Sequence, residues 1–134
     1  LNGSTGLGYG SSINRTYLGD MQGNYTTVYF RRQFTINNIY KITHMRLSVI
    51  CDGPFIAYLN DVEVIRNDSV IKSTTDQSIG TPKAEELNIS GFKHELLPGK
   101  NVLSVECNND DINSKDFSFI PVFEVFEHQE GQIQ

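Results

Sequence analysis

Seven side chains carry the chemistry that holding a sugar requires. Tyr9, Tyr25 and Tyr29 offer flat faces for the apolar side of a pyranose ring. Asn60, Asp61, Asp110 and Asn113 offer planar amide and carboxylate groups for its hydroxyls, and each lies on a polar segment between apolar runs. Tyr17 shares the tyrosine-rich beginning of the chain. Trp, the best platform for a sugar ring, is absent. Catalytic patterns are missing. His44, His94 and His128 are scattered, no Ser sits in a Gly-x-Ser-x-Gly turn, and no Gly-rich loop leads into a helix. The chain is therefore expected to bind rather than to catalyse.

Two further residue sets bear on chemistry and compartment. Cys51 and Cys107 are too few and too far apart for a zinc site of paired cysteines. Each closes an alternating apolar run and precedes a polar loop, so they are either one disulfide or two buried thiols. The acceptor pattern Asn-x-Ser/Thr occurs at Asn2, Asn14, Asn24, Asn67 and Asn88, more often than the composition predicts. It fits a glycosylated eukaryotic secreted protein or an Asn- and Thr-rich bacterial one, and both readings are extracellular.

The elements that must position these residues are strands. Val28, Phe30, Phe34 and Ile36 share one parity in the β-branched and aromatic run 26–36, which Asn37-Asn38 ends. Arg32 has the same inward parity. An inward Arg needs a carboxylate partner, and a bulge that turns it outward is the preferred alternative. Met45, Leu47, Val49 and Cys51 alternate with Arg46 and Ser48 in a second strand. Asp52-Gly53-Pro54 is a turn, Phe55–Leu59 a strand, and Asn60-Asp61 a two-residue hairpin loop returning through Val62–Ile65. Residues 66–84 are polar and read as a long loop with one short strand at 70–72. Glu86–Ile89 and Asn101–Cys107 are further strands, the latter with Leu103, Val105 and Cys107 inward. Phe117–Glu127 is the last, and Pro121 marks an edge position or a bulge. No segment has helical periodicity, and about eight short strands predict an antiparallel sandwich or barrel.

Length and charge set the outer limits. The 134 residues fit one module over 1–127, with an irregular lead-in over 1–25 and a polar tail or linker over 128–134. Such a chain buries roughly two-thirds of its unfolded surface, enough for a real core. Sixteen acidic against eleven basic residues give a net charge of −5, which argues against nucleic acid and anionic membranes as partners. No apolar run approaches the ~20 residues of a membrane-spanning helix. The abrupt start suggests a mature or excised segment of a longer protein.

The order of the motifs is distinctive. Gly-Leu-Gly-Tyr-Gly (6–10) and Val-Tyr-Phe-Arg-Arg-Gln-Phe-Thr-Ile (28–36) come first. Met-Arg-Leu (45–47), Asp-Gly (52–53) and Ala-Tyr-Leu-Asn-Asp-Val-Glu-Val (57–64) follow, then Pro-Gly-Lys-Asn-Val-Leu-Ser-Val-Glu (98–106) and Ser-Phe (118–119). From about Gly6 to Val125 the chain resembles the galactose-binding-like jelly-roll modules appended to secreted hydrolases, phosphoesterases and adhesins. It departs from them in having Cys51 for the first Asp of their turn, Asp61 for the hairpin Gly, and Ile120-Pro121 as an apparent insertion.

The resemblance implies an all-β jelly roll that is secreted or at the cell surface and binds a glycan or neighbouring domains of its own protein. A structural or protein-interaction domain of a surface or filament glycoprotein is the alternative. The resemblance brings the strands ending in Cys51 and Cys107 together and so favours a disulfide. It also implies a structural calcium at one end of the sandwich, for which Asp20, Asp52, Asp111 and Glu124 are the candidate ligands.

Overall fold

In a computed structural model the described residues are 7–10, 16–51, 53–67 and 85–128. The expected alternation becomes nine strands among them. These are β1 (Leu7–Tyr9), β2 (Thr16–Tyr17), β3 (Thr27–Ile36), β4 (Ile42–Cys51), β5 (Phe55–Leu59), β6 (Val62–Asn67), β7 (Glu85–Asn88), β8 (Gly99–Asn108) and β9 (Phe117–Glu127). The stretch read as an irregular lead-in thus holds two short strands, paired in parallel with Leu7 opposite Thr16. The segment expected to carry a short strand at 70–72 lies outside the described residues.

The first sheet runs β2-β1-β9-β4-β7 and the second β3-β8-β5-β6. Apart from β1–β2 the pairings are antiparallel. With β1-β9-β4-β7 forming one layer and β3-β8-β5-β6 the other, the strand order is that of a jelly roll. Both layers obey the period-2 rule. Met45, Leu47, Val49 and Cys51 are buried from β4, as are Leu103, Val105 and Cys107 from β8. Phe55, Ala57 and Leu59 from β5 and Phe117 and Phe119 from β9 complete the centre. Burying each such Phe or Leu contributes about 1.5–3 kcal/mol.

Edge-to-face rings tie the layers together, Phe30 to Phe119 at 6.0 Å and Phe34 to Phe123 at 5.1 Å between centroids. Cys51 and Cys107 form a disulfide from β4 to β8, with 6.7 Å between their Cα atoms. The bond therefore joins the two sheets through the core.

Local chemistry explains the turns. Asn60 and Asp61 adopt φ of 49° and 69°, the left-handed conformation a two-residue hairpin needs and which Asn and Asp tolerate better than most residues. Asn38 caps the short 3-10 turn at Ile39–Lys41 by accepting from the Tyr40 N–H at 3.0 Å, so β3 stops where the paired Asn residues predict. Gly53 packs against the backbone at Asn108, where any Cβ would overlap the carbonyl oxygen.

One expectation about backbone irregularity is corrected, and one open choice is decided. The β3–β8 register is unbroken from Thr27↔Asn108 to Ile36↔Gly99, so no bulge turns Arg32 outward. Pairing is also continuous at Pro121, opposite Val49, and the irregularity between β4 and β9 falls between Ile42 and His44. Pro121 instead marks an edge. β1 covers β9 only over Phe117–Phe119, and beyond that no strand lies on this side of β9 among the described residues.

Candidate functional site

The short reach of β1 opens the sandwich. Where it stops, no described residue closes over the inner side chains of β3 and β9, and a groove of about 250 Å³ lies between the two sheets. Phe30, Arg32 and Phe34 line it from β3, Leu103 from β8, and Pro121, Val122 and Phe123 from β9. The phenylalanines are half-buried, and Val122 on the rim is 46% exposed.

This opening resolves the position of Arg32. Its parity is inward, between Phe30 and Phe34 and opposite Leu103. A guanidinium cannot be buried there without a carboxylate. It lies where the core is open, and the side chain is exposed. Arg32 has neither a hydrogen-bond nor an ion-pair partner among the described residues. By contrast Arg46, on the outer face of the first sheet, donates to Glu124 at 2.7 Å and lies 3.9 Å from Glu86. The Glu124 carboxylate is the main reason the Arg46 guanidinium holds its proton more tightly than usual.

The groove therefore combines an apolar aromatic wall with one unpaired planar cation. Its volume lies just under that of ordinary small-molecule pockets, which begin at roughly 300 Å³. It suits one ring of a larger ligand. Arg32 and Pro121 were the signals available in the sequence, one as an inward charge and the other as an edge marker. That they meet across the sheets could not be read from spacing.

The tyrosines and polar loop residues singled out as sugar contacts do not form one site. Tyr9, Tyr25, Asp110 and Asn113 belong to one end of the sandwich, where the 109–116 loop meets residues 18–26. There the Gly23 N–H donates to the Ile112 carbonyl and the Asn109 N–H to the Thr26 carbonyl, both at 2.7 Å. Tyr9 is buried and donates to the Ser114 carbonyl at 2.7 Å. Tyr25 donates to Asp20 Oδ1 at 2.9 Å, and partial burial, with that carboxylate second, raises its phenol pKa above the ordinary value. Asp110 and Asn113 are exposed, the latter donating its N–H to Asp111 Oδ1. Tyr29 lies on the outer face of the second sheet, 74% exposed and opposite Glu106.

Asn60 and Asp61 occupy the opposite end, and Asn60 is turned to internal use. Its amide donates to the Glu95 carbonyl and to Asn101 Oδ1, and its Oδ1 accepts from the Val102 N–H. Asn101, fully buried, in turn accepts from the Leu97 N–H and donates to the Leu97 and Gly99 carbonyls. This amide pair fixes the β5–β6 hairpin against the turn entering β8.

The described carboxylates expected to hold calcium lie in two places. Asp20 and Asp111 sit at the loop end, whereas Glu124 is seven residues along β9 from Phe117, roughly 23 Å of strand. Asp52 lies outside the described residues. Among the described residues no three His, Cys, Asp or Glu side chains gather into a cation site. Asn109 Oδ1 is buried there without a partner, but calcium requires six to eight oxygens. Of the glycan acceptors, Asn24 and Asn88 are exposed and Asn67 is half-buried at the end of β6. Asn2 and Asn14 lie outside the described residues.

No known protein family matches the chain in sequence, and no curated relative matches it. Solved structures do share the fold. An α-L-rhamnosidase from Aspergillus terreus superposes with a TM-score of 0.55 at 15% identity, over 76% of this chain and 12% of its own. An α-L-rhamnosidase from Streptomyces avermitilis, solved with L-rhamnose, gives 0.54 at 19% identity, over 77% and 9%. The chain thus spans about a tenth of each enzyme. At these identities the likeness concerns the fold, a β-sandwich of the kind found as one part of much larger glycosidase chains.

Proposed function

We propose that this chain is a non-catalytic carbohydrate-binding module of a larger secreted or surface protein. The observation that carries the reading is the groove at the open edge of the jelly roll. Phe30, Phe34 and Phe123 supply an apolar wall for the face of a sugar ring, and Arg32 supplies donors for its oxygens. The sandwich that also occurs within rhamnosidase chains supports the reading. The disulfide supports an oxidising, extracellular compartment. Affinity electrophoresis and calorimetry across plant, microbial and host glycans test it. Binding of at least one glycan, weakened when Val122→Glu places a charge on the rim, is expected. A blank panel would overturn the reading.

The free side of β9 beyond Phe119 favours a second reading, a domain that pairs with a strand of another protein. Pro121 has no N–H to lend, so such pairing would be interrupted near its start. Competition between a glycan and a β-edge partner for the same face would separate the two readings.

A further inference from the structure

We infer that the groove selects sugars bearing a carboxylate, that is, hexuronic-acid residues of an acidic polysaccharide. The inference rests on the carbohydrate-binding reading of the same groove. Arg32 occupies a position where a Leu or Val would extend the core and pack better. The guanidinium stays in contact with water, and in a chain with sixteen acidic residues none of the described ones pairs with it. A guanidinium kept unpaired between two phenylalanines is therefore preset for an anion that arrives from outside.

The geometry of that anion follows from its neighbours. A guanidinium pairs with a planar carboxylate through two parallel N–H donors. Phe30 and Phe34 flank Arg32 on the same face of β3, and Phe123 faces Phe34 across the groove. The ligand must then place a carboxylate beside an apolar ring face, and a uronic-acid ring does so. A sulfated sugar offers an anion of different shape, further from the ring. Arg31, next in sequence, points to the outer face of the second sheet opposite Ser104 and takes no part.

The experiment measures affinity of the whole chain for galacturonic- and glucuronic-acid oligosaccharides, the same oligosaccharides after carboxyl reduction, and a sulfated neutral oligosaccharide. Uronate binding is expected to exceed that of the reduced forms by roughly 10- to 100-fold, the value of a hydrogen-bonded charge. Arg32→Ala should abolish that difference, weakening the uronates far more than the reduced forms. Arg32→Lys should keep part of it, and Arg31→Ala should keep all of it. Arg32→Gln replaces Arg32→Ala should the latter unfold on heating below the assay temperature. Equal binding of uronate and reduced forms, or a preference for the sulfated sugar, overturns this inference while the carbohydrate reading stands. Binding of none of them, alongside a blank neutral-glycan panel, overturns both.

Discussion

Replacing Asn101 by Ala tests how this sandwich closes the end that carries the Asn60-Asp61 hairpin. Four hydrogen bonds end on the Asn101 amide. The Leu97 N–H and Asn60 Nδ2 donate to its oxygen at 2.8 Å, and its nitrogen donates to the Leu97 and Gly99 carbonyls at 2.8 and 3.0 Å. Each contributes about 1 kcal/mol net. Leu97 and Gly99 are exposed, so water replaces part of what they lose. The expected cost is therefore about 3 kcal/mol, toward the lower end of what four bonds allow. Urea unfolding followed by far-UV circular dichroism should show the midpoint fall with the slope unchanged. Asn101→Asp keeps the accepting oxygen but loses the two donated bonds and buries a charge. It should cost at least as much at neutral pH and recover part of the loss once the carboxyl is protonated in acid. Asn60→Ala should couple to Asn101→Ala by about 1 kcal/mol in a double-mutant cycle. A loss under about 1 kcal/mol for Asn101→Ala would mean that the turn holds itself and that the amide pair merely accompanies it.

Removing the disulfide as Cys51→Ala with Cys107→Ala opens a loop spanning 56 residues. It should cost about 4 kcal/mol, on the order of 10–15 °C in melting temperature, and calorimetry with and without reductant checks this. Phe119→Ala removes a fully buried ring that packs on Phe30 and should cost about 3–5 kcal/mol by denaturant unfolding. Tyr25 has a raised phenol pKa, so its contribution to stability is present below the unfolded value near 10 and is lost as pH rises through the folded one. Ultraviolet titration should resolve a late-ionising tyrosine component that disappears in Tyr25→Phe.

Much of the fold was legible because β3, β4, β8 and β9 are long enough for alternation to repeat. Met45 through Cys51 shows the inward set without any tertiary knowledge. β1 and β2 were not legible, since three and two residues cannot display a period. The site was only half legible. Parity marked Arg32 as inward, and spacing could not say that β1 ends before covering it. Asn60 looked like a ligand contact because polar turn residues usually face water. Its partners Glu95 and Asn101 are 35 and 41 residues away, beyond any local signal.

The strand order has a kinetic consequence. The β3–β8 ladder joins residues as far apart as Thr27 and Asn108, 81 positions along the chain, and β4–β9 is comparably distant. Loop-closure entropy must be met before these ladders return any energy, which places such topologies among slow folders, milliseconds to seconds. Of the pairings in the second sheet, the β5–β6 hairpin alone closes a short loop. The left-handed Asn60-Asp61 turn is thus the natural seed. Its amide link to Asn101 delivers β8 to β5, and through β8 the rest of that sheet.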